Sequence, residues 1–215
     1  MKKLISLLSL SLLFTANAHA DDDLNQYNVS ITNATTGHVF TPTLLATHNS
    51  KVSLFTLGHK ASDGLAQLAE TGSPALLLTE TQARHGVHDT LVGTFIHPGE
   101  TISYQITATK KSKLTLAAML ATSNDAFMSL NGVSLPKRSA TYYAHVYDAG
   151  SEVNNEQCAY IPGPPCDPLS GNASSSTGEG FVSLHKGIHG VGDLDFTKLD
   201  WRGPVALINI NRIKD

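Results

Sequence analysis

Charge is scarce in this chain. Of its 215 residues 15% are Asp, Glu, Lys or Arg, with 15 basic against 18 acidic side chains and a net charge of −3. Soluble domains ordinarily carry about a quarter, so no field of either sign is available to gather a nucleic acid or an anionic membrane. Cysteine is scarcer still, with two residues, Cys158 and Cys166. That excludes a disulfide-dense miniature scaffold. Beyond residue 20 no apolar run approaches the ~20 residues needed to span a bilayer. A G-x-S-x-G elbow is missing, as is a phosphate-cradling glycine loop after a strand. There is no internal repeat, and only residues 171–180, GNASSSTGEG, are of low complexity, which reads as a surface loop.

Residues 1–20 have the form of a secretory signal peptide. Lys2 and Lys3 make a basic start, Leu4 to Phe14 an apolar stretch, and Ala18-His19-Ala20 a small-x-small cleavage site. Cleavage leaves a mature chain from Asp21, expected to form one domain over 21–215 and to be exported, in the periplasm or outside the cell. In an oxidising compartment Cys158 and Cys166, flanking Pro162, Pro164 and Pro165, are expected to form a disulfide. A short loop closed this way gains roughly 2.5 kcal/mol. The rival, a metal thiolate pair, suits two cysteines without CxxC spacing poorly.

The mature chain reads as all-β. Apolar and polar residues alternate at Tyr27-Val29-Ile31, Val52 to Phe55, Thr101 to Ile106, Leu114 to Leu116, Tyr143 to Tyr147, Phe181 to Leu184 and Val205 to Ile210, often with Gly, Pro, Asn or Asp between. Strand signals spread along the whole chain predict an antiparallel β-sandwich, not alternating β and α units. One region departs from this. Ser62-Asp63 ahead of Leu65, Leu68 and Ala69, with Gly72 beyond, predicts a short capped helix, and Ser73-Pro74 opens a second one containing Leu76 to Thr81.

Hard oxygen donors crowd into two places where strands give way to loops. Asp148, Glu152, Asn154, Asn155 and Glu156 follow the strand ending at Tyr147, and Asn124 and Asp125 follow the apolar strand Leu114 to Ala121. Should those two strand ends lie side by side, Asp125, Asp148 and Glu152 converge. Three carboxylates so placed raise one another's pKa, and a Ca²⁺ ion, which takes six to eight oxygens, removes the conflict. Against this stands the ordinary use of acidic and amide side chains in turns, and neither segment has the EF-hand form.

At these same residues the sequence resembles the spondin-domain family. YNVSITNAT from Tyr27, FTPTLLATH from Phe40 and LGHKASDGLAQLAETG from Leu57 are similar to the opening of bacterial members. SNDAFMSLN from Ser123 and YDAGSEVNNE from Tyr147 are similar to the two central motifs, and HKGIHGVGDL from His185 with DWRGPVALI from Asp200 to the close. The resemblance implies a sandwich comparable to C2 domains, found in matrix and adhesion proteins, with calcium at one end held by Asp125, Asp148 and the acidic position four residues on. That position is Glu152 here, where animal members typically have Asp. The implied activity is binding without catalysis, toward an extracellular or surface ligand such as a glycan, a protein, lipid or matrix polymer.

The competing reading is a metal-dependent periplasmic hydrolase using His185, His189 and Asp193, spaced by four in HKGIHGVGD. That spacing aligns ligands on a helix, but no Glu follows His185, and Gly187, Gly190 and Gly192 oppose a helix at about 1 kcal/mol each. Asp63, Glu70, Glu80 and His85 are expected to be solvated surface groups. The triplets N-x-[ST] at Asn28, Asn33 and Asn172 read as chance. Trp201, Phe127, Tyr142 and Tyr143 offer an exposed aromatic patch as a third possibility, against a core role.

Overall fold

The computed structural model describes residues 24–166 and 178–213. The signal-peptide segment, most of the low-complexity stretch and Asn172 lie outside the described residues.

Strong alternation makes four strands of one sheet. β1 (Asn25–Asn33), β4 (Thr101–Ala108), β7 (Ser139–Asp148) and β9 (Ala206–Arg212) bury Tyr27, Val29, Ile31, Ile106, Ala144, Ile208 and Ile210 and turn polar neighbours outward. Among the described residues they run antiparallel in the order β7-β9-β1-β4. The second sheet holds β3 (Val87–Val92), β2 (Leu44–His48), β5 (Lys113–Met119) and β6 (Ala126–Ser134), again antiparallel. β7 belongs to both. Its first half, Ser139 to Ala144, pairs with β9, and its last four residues pair with β6, Asp148 facing Ala126. One continuous antiparallel sheet is thereby folded into a sandwich, as expected, around a core that includes Phe40, Leu45, Leu116, Met128 and Ile208. At the open edge Asp89 of β3 stitches the sheets together. Its Oδ2 accepts from the Thr107 N–H at 2.8 Å and the Thr107 hydroxyl at 2.7 Å.

Both predicted helices form, as α1 (Asp63–Thr71) and α2 (Ala75–Gln82). The Ser62 hydroxyl caps the Leu65 N–H, and Gly72, at φ 73°, closes α1 in the left-handed conformation that glycine adopts without strain. Glu80 is no idle surface carboxylate. It accepts from Ser62 Oγ at 2.6 Å and Gly64 N at 2.8 Å, setting negative charge on the α1 N-terminus.

The helices cover the outer face of β2, β5 and β6, with Leu65, Leu68, Leu77, Phe55 and Phe127 in a second apolar layer. Strands clad on both faces lose their alternation: β2 is buried at all five positions. That is why β2 and β6 carry no period-2 signal in LLATH and AFMSL. Val52 to Phe55, conversely, is no strand but an irregular segment lying under the helical layer, and only Ser183–Leu184 of the predicted Phe181 to Leu184 strand forms one, β8. The aromatics divide. Phe127 is fully buried, packed edge-on to Phe55 at 5.2 Å, while Trp201 and Tyr142 are partly covered and Tyr143 is exposed. Phe127→Ala is expected to cost about 3–5 kcal/mol in urea denaturation, whereas Tyr143→Ala is expected to stay within about 0.5 kcal/mol of the parent.

Candidate functional site

A tight turn after β5 and the loop after β7 meet at one end of the sandwich because β6 and β7 are paired neighbours. Ser123 shapes the turn by donating to Leu120 O at 2.7 Å and accepting from Ala126 N at 3.2 Å, which places Asp125 just ahead of β6. Asp125 is fully buried. Its Oδ2 accepts from Ser151 N at 2.8 Å and Glu152 N at 3.0 Å, fastening the loop after β7 onto the turn. Its Oδ1 has no hydrogen-bond partner among the described residues. Burial, with the charges of Asp148 and Glu152 adding to it, pushes the Asp125 pKa up to about 7. The structure thus brings the three predicted carboxylates into one electrostatic group. Asp148 and Glu152 are buried as well.

Asp148 is held by a short relay. Its Oδ1 accepts from Gly150 N at 2.6 Å and its Oδ2 from Asn154 Nδ2 at 2.6 Å. Gly187 N donates to His185 Nδ1 at 3.0 Å, so the ring proton sits on Nε2, which donates to Asn154 Oδ1 at 3.2 Å. Burial drives the Asp148 pKa up, and burial drives that of His185 down to about 4. Gly150 has φ 68°, and a Cβ there would meet Phe181 O at 2.3 Å, so this loop admits no side chain at that position.

Glu156 does something different from its neighbours. Its two carboxylate oxygens accept from His189 N at 2.6 Å and Val191 N at 3.0 Å, and its own N–H donates to Asn124 Oδ1 at 3.1 Å. It clamps the glycine-rich loop to the turn that carries Asp125. The Cys158–Cys166 disulfide forms as predicted and packs with Ile161, Ile188, Leu194 and Leu199 into a small apolar cluster beside this clamp. His38, which has no sequence signal, ties the same end from below, Nδ1 at 2.8 Å from Ala121 O and Nε2 at 2.6 Å from Leu199 O.

The histidine triad of the hydrolase reading is not assembled as a metal site among the described residues, the His189 contact with Glu156 being made by its backbone N–H. Both His185 ring nitrogens are engaged, the His189 N–H serves Glu156, and Asp193 Oδ2 accepts from Cys158 N at 2.9 Å. Among the described residues no group of three or more His, Cys, Asp or Glu side chains stands ready to hold a metal, the acidic trio included. The trio nevertheless fits a hard cation in its chemistry. Asp125 Oδ1 is a buried oxygen without a donor, and a carboxylate oxygen that already accepts one N–H keeps a second lone pair for a ligand bond. Alongside lies a cavity of about 460 Å³, bordered by Asp148, Asn154, Phe181, His185 and His189.

The Spondin_N family model matches residues 25–155, well over half of the chain. No curated protein matches the chain. The matched segment ends at Asn155, so it takes in Asp125, Asp148 and Glu152 but stops short of Glu156, the disulfide and the histidine loop.

In metal-free protein, Asp125 holds its proton up to about pH 7 when folded, against 3.8 for an unperturbed aspartate. Between those values the folded state binds more protons than the unfolded one. This contribution to stability is therefore whole below about pH 4 and is lost as pH rises to about 7. With EGTA present, the melting temperature is expected to fall across that window, and Asp125→Asn to flatten the fall. An upward slope that the variant leaves unchanged would contradict the buried-acid geometry.

Proposed function

The chain belongs to the Spondin_N family, and on that footing we propose that it is an exported recognition module that holds calcium through Asp125, Asp148 and Glu152 and acts by binding. The family is one of extracellular recognition modules, and no helix among the described residues is long and apolar enough to cross a membrane.

The observation that carries the calcium reading is the donor-less Oδ1 of fully buried Asp125, set among two further buried carboxylates. A buried carboxylate oxygen without a donor, close to like charges, is costly, and a divalent cation offsets that cost. When bound, the ion supplies positive charge that draws the three carboxylates into their ionised form. The chain's own residues do the rest. Asp125 positions the loop through Ser151 and Glu152, Asn154 and His185 orient Asp148, and Glu156 keeps the histidine loop against the turn. Calcium in this role orders one end of the sandwich and presents the loops and the adjoining cavity to a ligand, while the core folds by itself.

Extracellular calcium modules bind at about 10⁻⁴ to 10⁻³ M. A site of ~10⁻⁴ M in ~1 mM Ca²⁺ adds about 1.4 kcal/mol to stability. Thermal melts in calcium and in EGTA are therefore expected to differ by a few degrees for the parent and not at all for Asp125→Asn or Asp148→Asn. A calcium response that persists in both variants refutes this assignment. Zinc-dependent hydrolysis that His189→Ala abolishes would instead establish the metal-hydrolase alternative.

A further inference from the structure

The outer face of the β7-β9-β1-β4 sheet, which neither α1 nor α2 covers, is an ordered grid of twelve side chains without a single charge. In its middle row Ser103, Ser30, Asn209 and Thr141 stand abreast on adjacent strands. Gln105, Asn28, Asn211 and Ser139 form the row on one side. Thr101, Thr32, Leu207 and Tyr143 form the row on the other. With strands about 4.8 Å apart and a rise of about 3.4 Å per residue, the outermost backbone positions enclose about 14 Å by 14 Å.

A surface built for solubility is given about 25–35% charged residues; this chain has 15% overall, and its charged residues stand elsewhere than on the grid. They stop at its borders. Lys110, Lys137 and Arg212 gather around a cavity beside Tyr27 at one end of the sheet, and Glu100, next to Thr101, turns back to accept from His97 N at 2.8 Å.

Within the grid the hydroxyls of Ser30, Ser103, Thr32, Thr101 and Thr141 are already paired across strands. Ser30 and Ser103 lie 2.7 Å apart, Thr32 and Thr101 2.8 Å, and Thr141 donates to Asn209 Oδ1 at 2.7 Å. Short side chains held this way have little rotamer freedom left to lose on binding. Each paired hydroxyl still has donor or acceptor capacity to offer outward. Tyr143, 61% exposed, and half-buried Leu207 make the one apolar corner.

We propose that this face binds a neutral polysaccharide chain. A polyol both donates and accepts at every hydroxyl, as do Ser, Thr and Asn, and its C–H faces suit an aromatic ring such as Tyr143. An anionic polymer or lipid would meet no counter-charge on the grid. A protein interface core would offer aromatics, Met and Arg in place of this Ser/Thr/Asn array. The inference rests on the recognition-module reading but not on its calcium, since the grid lies on a different part of the molecule from Asp125.

The test is co-sedimentation of the purified protein with insoluble cellulose, chitin and mannan in EGTA, with affinity electrophoresis through hydroxyethyl cellulose. Retention on at least one of these polymers is expected, the same in calcium as in EGTA, and weakened 10-fold or more by Thr141→Lys, by Ser103→Glu and by Tyr143→Ala. All three grid variants alter exposed positions, and unchanged melting temperatures would show that they fold. Retention on none of the neutral polymers, equal retention of parent and grid variants, or binding confined to heparin or anionic vesicles would each overturn the proposal. A missing calcium response with polysaccharide retention intact would refute the ion assignment and leave the face standing.

Discussion

The end of the sandwich depends on one buried carboxylate receiving two backbone donors. Asp125 Oδ2 takes the N–H groups of Ser151 and Glu152, so the turn before β6 and the loop after β7 become one piece. The arrangement is possible because β6 and β7 are antiparallel neighbours, with Asp148 opposite Ala126. It also sets up the central electrostatic conflict. The bonds that organise the loop draw Glu152 toward Asp125 and Asp148, where burial has removed the water that would screen them. Fixed geometry and unfavourable charge arise from the same contact, and perturbed carboxylates of this kind cluster at functional sites.

Around that contact the remaining polar groups act as supports. Asn154 and His185 fix the orientation of Asp148, much as outer partners fix ligands in metal sites. Glu156 holds two N–H groups of the glycine-rich loop, and the disulfide with its apolar cluster backs the segment that follows. The crowding of acidic and amide residues before the two cysteines therefore has two physical sources. Asp148 and Glu152 join a charged centre, while Asn154, Asn155 and Glu156 satisfy backbone and side-chain donors of loops that have no strand partners of their own.

Scarce charge is also unevenly placed. Buried carboxylates collect at one end, and the β7-β9-β1-β4 face has none. A chain with few ionisable groups thus concentrates some of them in a costly interior position and leaves a broad sheet face neutral. The two regions share β7, whose first half carries Thr141 and Tyr143 and whose last residue is Asp148.

Period-2 alternation made β1, β4, β7 and β9 legible, because each has one wet face, and Ser62 with Gly72 marked the first helix through capping chemistry that is local. β2 escaped detection because the helices cover its second face, and the same contact buried Val52 to Phe55 without making them a strand. The residue types of the candidate centre were readable as hard oxygen donors, and the cysteine pairing followed from their number and proximity. The sequence by itself determined the kinds of group available and the strands exposed on one side. Only the tertiary structure decided which carboxylates meet, that Glu156 and Asp193 serve backbone N–H groups, and that His185 is locked into a relay, since each depends on groups 26 to 35 residues apart in sequence being brought within hydrogen-bond reach.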